Sequence, residues 1–223
     1  MASFKPKVNY QIKMEQLIGT LPKDRVPVLF LHACCAPCSS FVLEALSRYF
    51  KIRLFFYNPN IFPKEEYLYR LSEVRRLISE LPLENSVEVV DGEYHPERFL
   101  ELAKGLENEP ERGERCRRCI GLRLTETVQQ AALSGADFVT TTLSISPHKD
   151  AAFINEKGAE LCEKYGASWL YSDFKKKGGY LRSIELSKEY DLYRQDFCGC
   201  VYSREARRRE KEAAAQSSLN NPH

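Results

Sequence analysis

The chain has 223 residues, long enough for one sizeable domain and short for two. Its 43% hydrophobic and 29% charged residues suit an ordinary packed globule, and a formal charge of +2 excludes polynucleotide binding through bulk charge alone, so any basic surface must be local. No apolar run reaches the length of a membrane span and the opening MASFKPKVNYQIKMEQ lacks a signal-peptide core, so a cytoplasmic protein with no membrane partner is expected.

In chain order, residues 10–18 read as a short amphipathic helix and 21–27 as a linker, so residues 1–26 form an N-terminal helix and linker. Residues 28–33 are an apolar first strand that runs into LHACCAPCSS, where Cys34, Cys35 and Cys38 sit at the turn into a helix over 39–50. Residues 52–57 are the second strand, broken by Asn58-Pro59-Asn60; Pro63 opens a long helix to about 81. A third strand over 87–90 ends at Asp91-Gly92, and 96–104 look helical. The polar loop 105–115 delivers Cys116 and Cys119 to a helix running to about 134. Residues 138–143 are the fourth strand, 151–165 a helix, 168–171 a fifth strand and 182–189 a helix. Cys198-Gly199-Cys200 precedes a charged helix over 203–215, and 216–223 read as a disordered tail, so 204–223 are a charged helix and tail. Strands alternating with helices predict a single α/β domain over 1–223: a doubly wound, mostly parallel, five-stranded sheet with helical additions.

Seven of the eight cysteines fall in three groups, CCAPC, CRRC and CGC. Disulfides rarely persist in the cytoplasm, so these groups point to metal or redox chemistry. The plainer alternatives are buried structural cysteines or a closed four-thiolate zinc site. Seven sulfurs exceed one such site, and Cys34 lies at the carboxyl edge of a parallel sheet, where ligands bind. Two adjoining metal centres, or one centre plus redox dithiols, remain. Cys162 stands apart in a helical stretch and reads as a packing residue.

Three further stretches meet the same edge. TTTLSISPHKD places Thr141, Thr142, Ser146, His148 and Lys149 where they could hold a phosphate or a base; a helix cap is the alternative. DFKKKGGYLRS, with Asp173, Lys175, Lys176, Tyr180 and Arg182, suits a nucleic-acid backbone and a stacked base, or a solvated loop. YNPNIFPKEEY offers Asn58 and Asn60 to a polar ligand, or simple turn chemistry. His32 reads as a hydrogen-bonded core residue beside the cysteines and His95 as a surface residue. The arginines of the last helix alternate with glutamates, as on a solvated face.

Taken together, LHACCAPCS, YNPNIFPKEEY, RCRRCIGLRL, TTLSISPHK and DFKKKGGYLRSIELSKEYDLYRQDFCGCVYS resemble the QueH family, the cobalamin-independent epoxyqueuosine reductases, over about 28–203. The resemblance implies an adenine-nucleotide-hydrolase-like (HUP) fold. It implies reduction of epoxyqueuosine to queuosine at the wobble position of tRNA, the last step of queuosine biosynthesis. It also implies a 4Fe–4S cluster beside a single iron, replaceable by zinc, held by cysteines and an aspartate, with electrons from a donor that the sequence does not identify. The metal ligands would be Cys34, Cys35, Cys38, Cys116, Cys119, Cys198 and Cys200. His95 stands after Tyr94 where the family is expected to carry aspartate, so Asp173 becomes the preferred carboxylate, with Asp91 and Asp196 as alternatives. Tyr180, His148 or Lys149 would supply protons. A tRNA thiolase on the same fold would need a glycine-rich phosphate loop, whose place CCAPC takes. A zinc-stabilised RNA-binding module is the non-enzymatic rival.

Overall fold

The computed structural model describes residues 8–219. Four parallel strands, β1 (Val28–His32), β2 (Lys51–Phe56), β3 (Val87–Asp91) and β4 (Phe138–Thr141), lie in the order β3-β2-β1-β4. Helices follow in chain order: α1 (Tyr10–Gly19), α2 (Ala36–Leu46), α3 (Lys64–Glu80), α4 (Pro96–Ala103), α5 (Glu114–Leu133), α6 (Ala151–Tyr165), α7 (Gly179–Glu189) and α8 (Val201–Leu219). β1 is central and apolar up to His32 because both of its faces are covered. Leu29 and Leu31 pack with Val42, Leu46, Val74 and Leu77 of α2 and α3. Phe30, pointing the other way, packs with Leu124, Val128, Ile154 and Leu161 of α5 and α6. The α/β, doubly wound parallel architecture is thus as expected.

The expected fifth strand is not formed. Residues 168–171 make one parallel bridge, Val139 with Trp169. Val139 N–H donates to the Ser168 carbonyl and Leu170 N–H to the Val139 carbonyl, both at 2.8 Å. Asn155 of α6 then takes over the backbone: its Oδ1 accepts from Ser172 N–H and Trp169 Nε1, and its Nδ2 donates to the Ser172 carbonyl. A ladder cannot continue where a buried amide claims both backbone groups. β4 also ends early, since Thr141 Oγ1 accepts the Leu143 N–H and starts a 3-10 turn over Thr142–Ile145.

Two helices differ in extent from expectation in ways that matter. α2 begins at Ala36, with Cys35 as an extended N-cap and Pro37 in the first turn, so Cys38 also lies in that turn. α8 continues to Leu219, so 216–219 are helical; the remainder of the expected tail, 220–223, and residues 1–7 lie outside the described residues. Among the described residues, no helix is long and apolar enough to cross a membrane.

Candidate metal centre and active-site cleft

β1 ends at His32, and the chain turns at once into α2. This turn gathers the Sγ atoms of Cys34, Cys35 and Cys38 within 4.8 Å of one another, with Cys34 and Cys35 at 3.9 Å. Two sulfurs on one tetrahedral ion, each about 2.3 Å from it, lie about 3.8 Å apart, so the triad fits a single metal ion. Hydrogen bonding with Cys35 and Cys38 holds the Cys34 thiol well below its ordinary value, helped by Lys149 and Arg123. Cys35 is correspondingly pushed up to about 12 by its hydrogen bond with Cys34. Behind them, His32 is fully buried. Its Nε2–H must donate to the Tyr57 carbonyl at 3.1 Å, so Nδ1 accepts from Thr141 Oγ1 at 2.8 Å. Burial, reinforced by Arg123, pulls this imidazole down to about 3, so it is neutral.

A second sulfur group forms where α5 starts and α8 starts. Cys116 and Cys119 occupy the first turns of α5; Cys198 and Cys200 flank Gly199 just before α8. Among the described residues no three of these four sulfurs fall within 4.8 Å of each other, so they are not gathered as tightly as the triad. Burial pushes the Cys119 thiol up to about 12, against the nearby Arg123. The Cys198–Cys200 loop is held from behind by Arg70 of α3, only 1% exposed. Arg70 Nη1 and Nη2 donate to the carbonyls of Cys198 (3.2 Å) and Phe197 (3.5 Å), while Nε pairs with Glu66 at 2.7 Å. Gly199, at φ +119°, completes the loop: a Cβ there would lie 2.9 Å from Ile61 Cγ1.

Two cavities adjoin at these sulfurs. One of about 370 Å³ contains Cys116, Cys119, Cys198 and Cys200 in its wall; one of about 700 Å³ contains Cys34, Cys38 and Cys198. Arg123, His148 and Lys149 belong to both walls. The smaller cavity is cationic, with Arg112, Arg115, Arg117, Arg123 and Lys149 against Glu111 and Asp150. Lys149 is set among Cys198, Cys34 and Cys38, whose electrostatic pull outweighs desolvation and raises it above the ordinary lysine value.

The residues singled out from sequence divide by placement. Asn60 is 1% exposed, lines the smaller cavity, and neither amide atom has a partner among the described residues. Ser146 and Tyr180 line the larger cavity, and His148 accepts from Arg112 at 2.8 Å through Nδ1. Asn58 and Thr141 are committed inward: Asn58 Nδ2 donates to the Ala33 carbonyl and its Oδ1 accepts from Arg123, while Thr141 serves His32 and Leu143. Thr142 is buried, with no partner for Oγ1 among the described residues. Asp173, Lys175, Lys176 and Arg182 are outside both cavity walls. Lys175 Nζ lies 2.9 Å from Asp173 Oδ1, off hydrogen-bond alignment, and donates to the Ser144 carbonyl. Lys176 is exposed, and Arg182 is bound to Glu44 at 2.6 Å. Of the alternative carboxylates, Asp196 lines the larger cavity while pairing with Lys211 and Arg207, and Asp91 pairs with Arg75 at the sheet's far edge. His95 is a surface residue between Glu93 and Glu97.

The sequence profile of the family described as epoxyqueuosine reductase QueH matches residues 29–206, a span containing all seven clustered cysteines. The chain belongs to the QueH family. It is 42% identical over 200 residues to the epoxyqueuosine reductase QueH of Streptococcus pyogenes serotype M1, covering 88% of this chain and 78% of that protein. Against the QueH of Staphylococcus epidermidis it is 41% identical over 203 residues, 88% of this chain and 85% of that one. Against the QueH of Thermotoga maritima it is 37% identical over 191 residues, 83% and 94%.

Within this QueH-family chain, sequence reasoning passed over Arg70, Arg123 and Gln195. Arg70 and Arg123 carry signals that could have been read: Arg123 is four residues after Cys119 and seven after Cys116, on the same helical face. Arg70 lies four residues after Glu66 on a helix that must bury one side. Gln195, in the larger cavity with its Oε1 unpartnered, carries none beyond nearness to Cys198.

Proposed function

We propose that this chain reduces epoxyqueuosine to queuosine in tRNA, the last step of queuosine biosynthesis, as a cytoplasmic oxidoreductase. The observation that carries the reading is the match to epoxyqueuosine reductases across a span holding every clustered cysteine. Converting an epoxide to an alkene breaks two C–O bonds, takes up two electrons and two protons, and releases water. Electrons enter from a separate donor.

Cys116, Cys119, Cys198 and Cys200 would hold a 4Fe–4S cluster, and Cys34, Cys35 and Cys38 a single iron, or zinc in its place. The fit rests on the close sulfur spacing of the triad, the placement of the other four sulfurs in one cavity wall, and the cationic residues of that wall, suited to anionic thiolates. When bound, such centres supply electrons singly and a Lewis-acidic position for an epoxide oxygen. The remaining ligand of the single iron is a carboxylate. Asp173 is the candidate from sequence; Asp196 has the advantage of lining the larger cavity with Cys34 and Cys38.

The larger cavity receives the modified nucleotide, turned out of the anticodon loop. His148, Lys149 and Tyr180 carry exchangeable protons on its wall and supply the two that the reaction consumes. Ser146 and Asn60 offer polar groups to nucleotide and metal site, respectively. Asn58 and Thr141 act from behind, holding the turn that carries Cys34, and Thr142 is buried beside Thr141. Lys175, Lys176 and Arg182 lie on the segment leading into and through the start of α7, beside Tyr180, where they would meet tRNA phosphates. Expressing the chain in a bacterium that lacks its own epoxyqueuosine reductase should restore queuosine to tRNA. Continued accumulation of epoxyqueuosine, with folded iron-loaded protein present, would refute the proposal.

A further inference from the structure

Three arginines are buried among the described residues: Arg70, Arg115 and Arg123. Arg70 has Glu66 as a counter-ion. Arg115 donates to the Leu106 and Glu107 carbonyls at 2.8 Å and lies over the Tyr202 ring, which accounts for it as a brace of the 105–115 loop. Arg123 has neither kind of partner. It is 2% exposed, its Nη1 reaches only the neutral Asn58 Oδ1 at 3.3 Å, its Nε has no partner, and no carboxylate lies within 4.0 Å among the described residues. A buried guanidinium without an anion is strongly unfavourable. The groups arrayed around it are the sulfurs of Cys119, Cys198, Cys34 and Cys116, and it stands in the wall shared by both cavities.

We propose that Arg123 is the built-in counter-cation of the two cysteine centres, a positioning residue whose charge is fully compensated only when thiolate-bound metal is in place. The assignment rests on reading the cysteine groups as metal centres. Two consequences are specific to it. The metal-free chain bears an incompletely compensated buried charge that loading relieves, so part of the stability gained on loading comes through Arg123. A fixed cation beside a cluster favours its more negative, reduced state, so removing the cation shifts the reduction potential downward.

The test compares full-length wild type, Arg123→Met and Arg123→Lys, each metal-free and after anaerobic reconstitution with iron and sulfide. Melting temperature, iron and sulfide content, and potential from a dye-mediated titration followed in the visible range are measured. Metal-free R123M should melt at or above metal-free wild type. Its rise on loading should be smaller and its potential more negative, while R123K stays close to wild type in both. Metal-free R123M that melts lower or fails to fold makes Arg123 an ordinary structural residue and overturns the assignment. So does a loaded R123M with unchanged potential and unchanged stabilisation, including one whose only defect is a weaker, less salt-dependent affinity for tRNA. A wild type that takes up no iron and sulfide overturns the underlying reading and the assignment together.

Discussion

Arg70→Met tests whether the second sulfur group is held in place from α3. Methionine keeps the length of the stem and removes the guanidinium. Glu66 then loses its partner at 2.7 Å, and the carbonyls of Phe197 and Cys198 lose their donors. Breaking a buried pair by deleting one partner costs about 3–5 kcal/mol. The lower end applies, because Glu66 is 15% exposed at its side chain and keeps the Tyr193 hydroxyl at 3.3 Å. At about 2–4 °C per kcal/mol for a chain of this size, a loss of about 3 kcal/mol lowers the melting temperature by about 6–12 °C. The assay is a thermal melt of the metal-free protein, followed by iron and sulfide analysis after anaerobic reconstitution. R70M should melt lower and take up less metal, because the loop carrying Cys198 and Cys200 is no longer pinned. Adding Glu66→Gln should recover part of the melting loss by removing the orphaned charge. An R70M protein that melts within about 2 °C of wild type and loads normally would refute the reasoning.

Replacing any of Cys34, Cys35, Cys38, Cys116, Cys119, Cys198 or Cys200 with Ala should abolish turnover, whereas Cys162→Ala should keep it at a cost of about 1 kcal/mol in a melt; full activity in two or more of the seven would contradict two centres. Gly199→Ala should cost about 1–3 kcal/mol in backbone strain at φ +119° and further contact with Ile61, read as reduced metal uptake in the variant. Asp137 accepts from both Arg25 Nη atoms and from Val28 N–H, and Arg25 holds its carboxyl below the ordinary value. The stabilisation is therefore complete at neutral pH and is lost as pH falls below about 4, so melts of wild type and Asp137→Asn should differ at pH 7 and converge in acid. Asp173→Asn and Asp196→Asn should differ in iron content at constant cluster absorbance: the true carboxylate ligand is the one whose loss removes one iron and most turnover, and normal iron and turnover in both would exclude both.

The sheet was legible where physics is local. Val28 to His32 reads as a central strand because its two faces meet different helices; β4 reads as central too but ends the sheet, with only the Val139–Trp169 bridge beyond it among the described residues. The cysteine groups were legible because their spacing and their place at the carboxyl edge are sequence properties. The missing fifth strand was not, since Asn155, in a helix that precedes the segment, decides the fate of the backbone at Ser172. Asn58 and Thr141 look like ligands at strand ends, but a polar side chain there serves either cavity or core. These two, at the ends of β2 and β4, turn inward onto Ala33 and His32. Asp173 lies past the segment expected as strand five, yet it is outside both cavity walls, with Lys175 Nζ 2.9 Å from its Oδ1. Arg123 carried the opposite lesson, since its helical register with Cys116 and Cys119 was readable but its burial was not.

The most direct test of the central claim is nucleoside mass spectrometry after anaerobic incubation of the reconstituted chain with a chemical reductant and tRNA bearing epoxyqueuosine. The account requires loss of one oxygen from the nucleoside, giving queuosine, dependent on reductant and absent with Cys34→Ala. Unchanged epoxyqueuosine in the presence of fully loaded, reduced protein would contradict it.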